Sequence, residues 1–177
     1  MEQVVQSFAT SKTFSGSILV AQGDQVIYER GAGRHRVASL TKQFTAAAIL
    51  LLEERGTLRI DDPVKTHLPN APAAWEGMTI FHLLTHTAGF AGQQTPPAAR
   101  GTPIQGEPTA AGYIARLVER PLITRPGETF SYTNTGYFIL GHLIERLSGQ
   151  SYERFITDNI LAPLSLKDTG PDRVAGA

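Results

Sequence analysis

The chain has no cysteine among its 177 residues. That excludes disulfides, thiol nucleophiles and cysteine-ligated metals, and leaves the redox compartment open. It has no charge excess either, because sixteen Lys and Arg balance sixteen Asp and Glu. A neutral balance leaves no electrostatic footprint for a polyanion, so nucleic acid and anionic membrane are poor partners. Long apolar runs are also missing: the longest, Ala46 to Leu52, falls far short of the roughly 20 residues that span a bilayer. No charged-then-apolar leader opens the chain, so the expectation for the sequence as written is a cytoplasmic protein, or a periplasmic or secreted one if a leader has been removed. What is present, 41% hydrophobic and 18% charged residues, suits a globular protein with a real core.

The pattern of apolar residues divides the chain into elements. Val4, Val5, Phe8 and Ala9 recur at helical spacing near the N-terminus. Ser15 to Ala21 and Gln25 to Arg30, joined by Gln22-Gly23-Asp24, read as a β-hairpin. Two strands alone are barely stable in water, so the hairpin needs further strands or a covering helix. Gly31 to Arg36 is a short basic link to a helix from Gln43 to Glu54, which Gly56 would stop. Thr79 is placed to cap a short helix over Ile80 to His86, and Ser151 to cap Tyr152 to Ile160. Thr109 to Glu119 and Thr135 to Leu147 read as helices, and Ala88 to Pro108 as a long loop.

The helix after Gly31 to Arg36 carries the chemistry. From Phe44 to Leu52 nearly every side chain is apolar, which predicts burial on all sides. At its front end stand Ser39 and, one turn on, Lys42, and residues three apart share a helix face. A cation in the first turn opposes the helix dipole and loses solvation by burial, and both effects lower the pKa of an amine. Such a lysine can take a proton from Ser39 and make a weak hydroxyl nucleophilic without a histidine. The same serine, or Thr41, is equally readable as a helix cap. His82 and His86 stand four apart, as zinc ligands on a helix do. The glutamate of His-Glu-x-x-His is absent and no third ligand is evident, so these read as structural histidines and no metal is expected.

Three segments together resemble the class C β-lactamase family, which includes penicillin-binding D-alanyl-D-alanine peptidases and β-lactamase-like carboxylesterases. They are Arg36-Val37-Ala38-Ser39-Leu40-Thr41-Lys42-Gln43-Phe44-Thr45-Ala46, His82-Leu83-Leu84-Thr85-His86-Thr87-Ala88-Gly89, and the run from Pro126 to Tyr137 that contains Tyr132-Thr133-Asn134. Leu164 to Gly170 is similar to a fourth family segment, and the four stand in the family's order. The resemblance implies Ser39 as the acylated nucleophile, Lys42 as its proton partner and Tyr132 as general base or acid. Asn134 would hydrogen-bond the substrate's acyl side or hold Lys42. A tyrosine phenol titrates near 10 in water, so Tyr132 can act as a base only beside a cation, which Lys42 would supply. Asn134 could equally cap the helix that begins at Thr135. Tyr28, Tyr113, Tyr137 and Tyr152 read as packing residues.

The resemblance also implies a fold: α+β and β-lactamase-like, with a helical lobe and a partial antiparallel sheet that lacks the C-terminal strands. Residues 1–33 would be the N-terminal helix and hairpin of an incomplete α/β lobe. Residues 34–177 would be the nucleophile helix and a mostly helical lobe. Family members are roughly twice this length, and their third motif, Lys-Thr-Gly or His-x-Gly, is not found after Tyr132; Lys167-Asp168-Thr169-Gly170 carries one residue too many. The expected function is a serine hydrolase acting through an acyl-enzyme on a small-molecule ester, a β-lactam or a peptidoglycan-like D-Ala-D-Ala peptide, with no cofactor. The alternative is a non-catalytic fragment that needs a complementary chain, or a second copy of itself, to complete the sheet.

Overall fold

Alternating strand residues and a two-residue loop at Gly23-Asp24 produce the expected hairpin in the computed structural model, which describes residues 2–10, 16–31, 33–92, 114, 117 and 121–171. Strand β1 (Ile18–Gln22) pairs antiparallel with β2 (Gln25–Arg30), with a bulge between Val20 and Ala21. Gly23 takes φ +57°, the left-handed value that a tight hairpin needs and glycine adopts at little cost. Val26 and Ile27 are consecutive, so they point to opposite faces, and both are half exposed, as is Leu19. Neither face of this two-stranded sheet is fully covered. Helix α1 (Glu2–Thr10) carries the apolar spacing read near the N-terminus, and Arg30 donates to Gln6 Oε1 at 2.8 Å, tying α1 to β2. These elements belong to one compact unit, 1–38; the rest of the chain, 39–177, forms a second.

The second unit is helical. A 3₁₀ turn, Ala38–Leu40, leads into α2 (Thr41–Glu54). Gly56 ends α2 as expected: at φ +71° it donates to Glu53, and Thr57 donates to Leu52, the double bond of a Schellman stop. Helices α3 (Val64–His67) and α4 (Ile80–Leu84) flank the turn Ala73–Trp75. Thr79 caps α4 by accepting from His82 N, while His82 Nδ1 accepts from Thr79 N, so a histidine fills the role usually taken by Glu or Gln. Helix α5 (Thr135–Ser148) follows and ends on the left-handed Gly149. Then come α6 (Tyr152–Ile156), capped by Ser151 as read from sequence, and a π-helical turn, Thr157–Leu161. Of the helix read over 109–119 only Ile114 and Leu117 are described, both helical, and most of the 88–108 loop lies outside the described residues.

The core gathers on α5. Ile139, Leu140, Leu143 and Ile144 are fully buried and meet Ala48, Ile49 and Leu52 of α2, Leu83 of α4 and Phe155 of α6 in one cluster with Trp75. Fully burying one such side chain is worth about 1.5–3 kcal/mol, so this cluster fixes the helices that carry the site. Burial of α2 on all sides does not hold: Leu50 is half exposed. The helix packs on α5, α6 and the π turn; Thr45, Ala48, Ile49 and Leu52 are buried, and Phe44, Ala47 and Leu51 are partly buried against the same core. A run of apolar residues around a helix therefore overstated how much of its surface these elements cover.

Glycine sets two close approaches. Gly136, at the start of α5, sits so near α4 that a Cβ would lie 3.2 Å from the Leu83 carbonyl. At Gly89, φ is +88° and a Cβ would lie 2.3 Å from the Thr124 carbonyl, while Ile123 N donates to Gly89 O. Gly89→Ala combines a disfavoured backbone conformation with a clash against backbone, and is expected to destabilise by about 2–4 kcal/mol. Thermal unfolding should show this as a Tm at least about 5 °C lower. An unchanged Tm would mean that the two segments are not locked together.

Candidate active site

The serine and lysine of the Ser-x-x-Lys run meet as the spacing predicts. Ser39 lies in the 3₁₀ turn and Lys42 in the first turn of α2, with Lys42 Nζ 3.3 Å from Ser39 Oγ. The residue before the serine, Ala38, has φ +45°, a left-handed value that non-glycine residues hold only where the surroundings enforce it. Neither Ser39 nor Thr41 caps the helix. Leu40 occupies the N-cap position with no side-chain bond to the first amides. The Ser39 hydroxyl is turned elsewhere.

Its partner comes from far along the chain. Tyr132, in the extended stretch before α5, donates its phenol proton to Ser39 Oγ at 2.7 Å across 93 residues of sequence. Asn134 Oδ1 accepts from Lys42 Nζ at 2.7 Å, so it holds the amine and makes no side-chain cap on α5. Thr133 supplies a bond there instead, its Oγ1 accepting from Thr135 N at 3.1 Å. Lys42 thus bridges Ser39 and Asn134, and its Nζ lies 4.9 Å from the centre of the Tyr132 ring and 5.5 Å from that of Tyr137. Ser39 and Asn134 are open to solvent while Lys42 and Tyr132 are half buried. A nucleophile so placed is reachable by a carbonyl from outside.

The phenol of Tyr132 is held below its usual value of about 10, first by the Ser39 hydroxyl bond and then by Lys42. Both stabilise the phenolate over the phenol. Burial, followed by the nearby Tyr132 phenolate, pushes Tyr137 the other way. Two tyrosines five residues apart are thereby separated into one that ionises more readily and one that ionises less.

Sequence reasoning missed two members of this site. Tyr137, classed with the packing tyrosines, donates to Leu84 O at 3.0 Å and faces both Lys42 and the His86 ring. His86, read as structural, packs its ring on Tyr132 with the centroids 4.5 Å apart. The available signal was their position inside matched segments one helical turn or so from motif residues; residue type alone gave none. The two histidines that stand four apart serve separate backbones, His82 the start of α4 and His86 the Tyr132 stretch, where its Nδ1 accepts from Thr133 N at 3.4 Å. Among the described residues no three His, Asp or Glu side chains gather to hold a metal, and no helix is long and apolar enough to cross a membrane.

Comparison with known proteins shows the family. The family model described as β-lactamase matches residues 1–174. The chain belongs to the β-lactamase family. A penicillin-binding protein of Bacillus subtilis is 31% identical over 96% of this chain and 40% of its own length. The octameric penicillin-binding protein homologue from Pyrococcus abyssi, 30% identical, superposes over 93% of this chain and 42% of its own with a TM-score of 0.74. A D-stereospecific amidohydrolase from Streptomyces is 29% identical, covering 75% of this chain and 43% of its own at a TM-score of 0.64. The chain therefore spans less than half the length of these relatives. Its α+β fold is the β-lactamase-family fold in part, helices dominating beside a two-stranded antiparallel sheet.

Proposed function

We propose that this chain carries the nucleophile and proton-transfer half of a serine acyl hydrolase. The single observation that carries this reading is the Ser39 hydroxyl within hydrogen-bond reach of both the Tyr132 phenol and the Lys42 amine. Ser39 Oγ attacks the carbonyl carbon of an ester, a β-lactam or a D-Ala-D-Ala amide. Its proton passes to the Tyr132 phenolate, which Lys42 stabilises, and then to the departing alcohol or amine as the old acyl bond breaks. Water repeats the sequence on the acyl-enzyme, with the same two groups handling its proton. Asn134 fixes the amine and offers its amide nitrogen to the substrate's acyl side. The Ser39 N–H supplies one oxyanion donor, and the second would come from a strand carrying Lys-Thr-Gly or His-x-Gly.

Intact-mass measurement after exposure to a fluorescent penicillin or an activated ester tests this. An adduct that maps to the Ser39 peptide is expected, and no adduct with a broad panel of acylating reagents overturns the reading. Tyr132→Phe removes the phenol oxygen and keeps the ring, so acylation should slow by about 10²–10³-fold, the range of a lost general base. An unchanged rate would move the base elsewhere.

A second reading, in which residues 1–33 are one edge of a sheet that another polypeptide or another copy completes, rests on the exposed Leu19, Val26 and Ile27 of the hairpin. Size-exclusion chromatography decides it. A dimer or larger species without turnover favours the second reading, and an active monomer rejects it.

A further inference from the structure

Tyr132 has no helix or strand to hold it, and what holds it instead is the neighbouring segment 86–92. Ile123 N donates to Gly89 O at 2.9 Å, Gly127 N to Thr87 O at 2.8 Å and Ser131 N to His86 O at 2.8 Å. The residues on either side of Tyr132 are thus both tied to His86, Ser131 through its carbonyl and Thr133 through Nδ1. The imidazole also lies against the phenol ring between them, 4.5 Å away at 42°. His86 does this from φ +60°, a sparsely populated conformation for a side chain of its kind.

We propose that His86 is the positioning residue for Tyr132: its imidazole backs the phenol ring, and its unprotonated Nδ1 fixes the backbone one residue further on. The proposal rests on the reading of Tyr132 as the proton-transfer group. A ring that merely filled space would work in either protonation state. This one would not, because an imidazolium carries N–H on both nitrogens and has no acceptor to offer Thr133 N. The titratable and charged groups that face it are Lys42 from α2, Tyr132 from the extended stretch and Tyr137 from α5. Among the described residues none of these is a carboxylate. Burial, first, and the Lys42 charge, second, hold the imidazole below its ordinary 6.5, which keeps it neutral at pH 7. The folded state then binds fewer protons than the unfolded chain below about pH 6.5, so this contribution to stability is complete above that value and is lost as pH falls.

The test has an arm that needs no catalysis. In NMR spectra of the wild-type chain titrated from pH 8 to 5, the Thr133 amide and the Tyr132 ring signals should move with the His86 ring, at a midpoint below about 6.5. The second arm measures Ser39 acylation by a fluorescent penicillin at saturating reagent. His86→Ala should slow it about 10–100-fold with the half-saturating concentration little changed, the size expected from a misplaced group. His86→Asn keeps an acceptor, and asparagine tolerates the left-handed backbone, so it should recover most of the rate and lack the part of the acid-side fall that His86 protonation is expected to cause in the wild type. His86→Phe, with a ring and no acceptor, should resemble Ala. Tyr132 signals blind to the His86 titration, or an Ala variant that acylates at the wild-type rate and pH dependence, would overturn the proposal. Coupled NMR titrations in a wild-type chain that never acylates would sustain the positioning role and count against the hydrolase reading alone. Should the variants fail to fold, the wild-type titration decides.

Discussion

Ser39→Ala is expected to remove the covalent adduct completely and to lower turnover of an activated ester by about 10³-fold or more, the scale of losing a nucleophile. The substitution deletes one oxygen, and that oxygen is where the Tyr132 and Lys42 bonds converge. With it gone, the phenol and the amine remain in place but have no hydroxyl to activate. Folding should be unaffected: the hydroxyl is exposed and caps no helix, so the Tm should stay within about 2 °C of wild type. Loss of activity with an unchanged Tm therefore isolates chemistry from stability. A Ser39→Ala protein that still takes up the acyl group, at Thr41 for instance, would assign the nucleophile wrongly here.

Lys42→Met should cost about 10³-fold as well, through a different route. The thioether keeps most of the side chain's volume, and the amine that bridges Ser39 and Asn134 disappears. One of the two causes that lower the Tyr132 phenol is then absent, so its pKa rises back toward the usual value near 10. A phenol with a higher pKa ionises only at higher pH, and the variant's rate should climb at more alkaline pH than the wild type's. Because the two groups are in contact, the wild-type profile reports the pair rather than either residue. A Lys42→Met rate that is merely scaled down, with the pH dependence unmoved, would show that the amine does not act through Tyr132.

Much of the site was legible before any coordinates because its parts follow from short-range rules. Ser39 and Lys42 are three apart at a helix start, and helical geometry alone brings them together. Gly56, Thr79 and Ser151 mark helix ends whose bonds are local, and each lies where the sequence places it. Long-range relations were legible only through resemblance: nothing in periodicity could bring Tyr132 to Ser39 across 93 residues. The extent of burial of α2 was misjudged because composition reports what a helix could bury, whereas its neighbours decide what it does bury. His86 and Tyr137 escaped for a related reason. A half-buried aromatic ring looks the same in sequence whether it fills the core or braces a reacting group, and only the rings' distances to Tyr132 and Lys42 tell these apart.

Helix α2 begins without a side chain bonded to its first free amides, and α5 has Thr133 rather than Asn134 on Thr135 N, although Ser39 and Asn134 are residue types that favour that task. Each has been diverted to Lys42, itself a cation at the end of a helix where the dipole disfavours one. A forgone cap of the kind seen at α2 is typically worth about 1 kcal/mol. If Ser39 and Lys42 act as proposed, the molecule trades heat resistance for reactivity at the start of α2. Variants that surrender the reaction there are where hardier forms of the fold should first be sought.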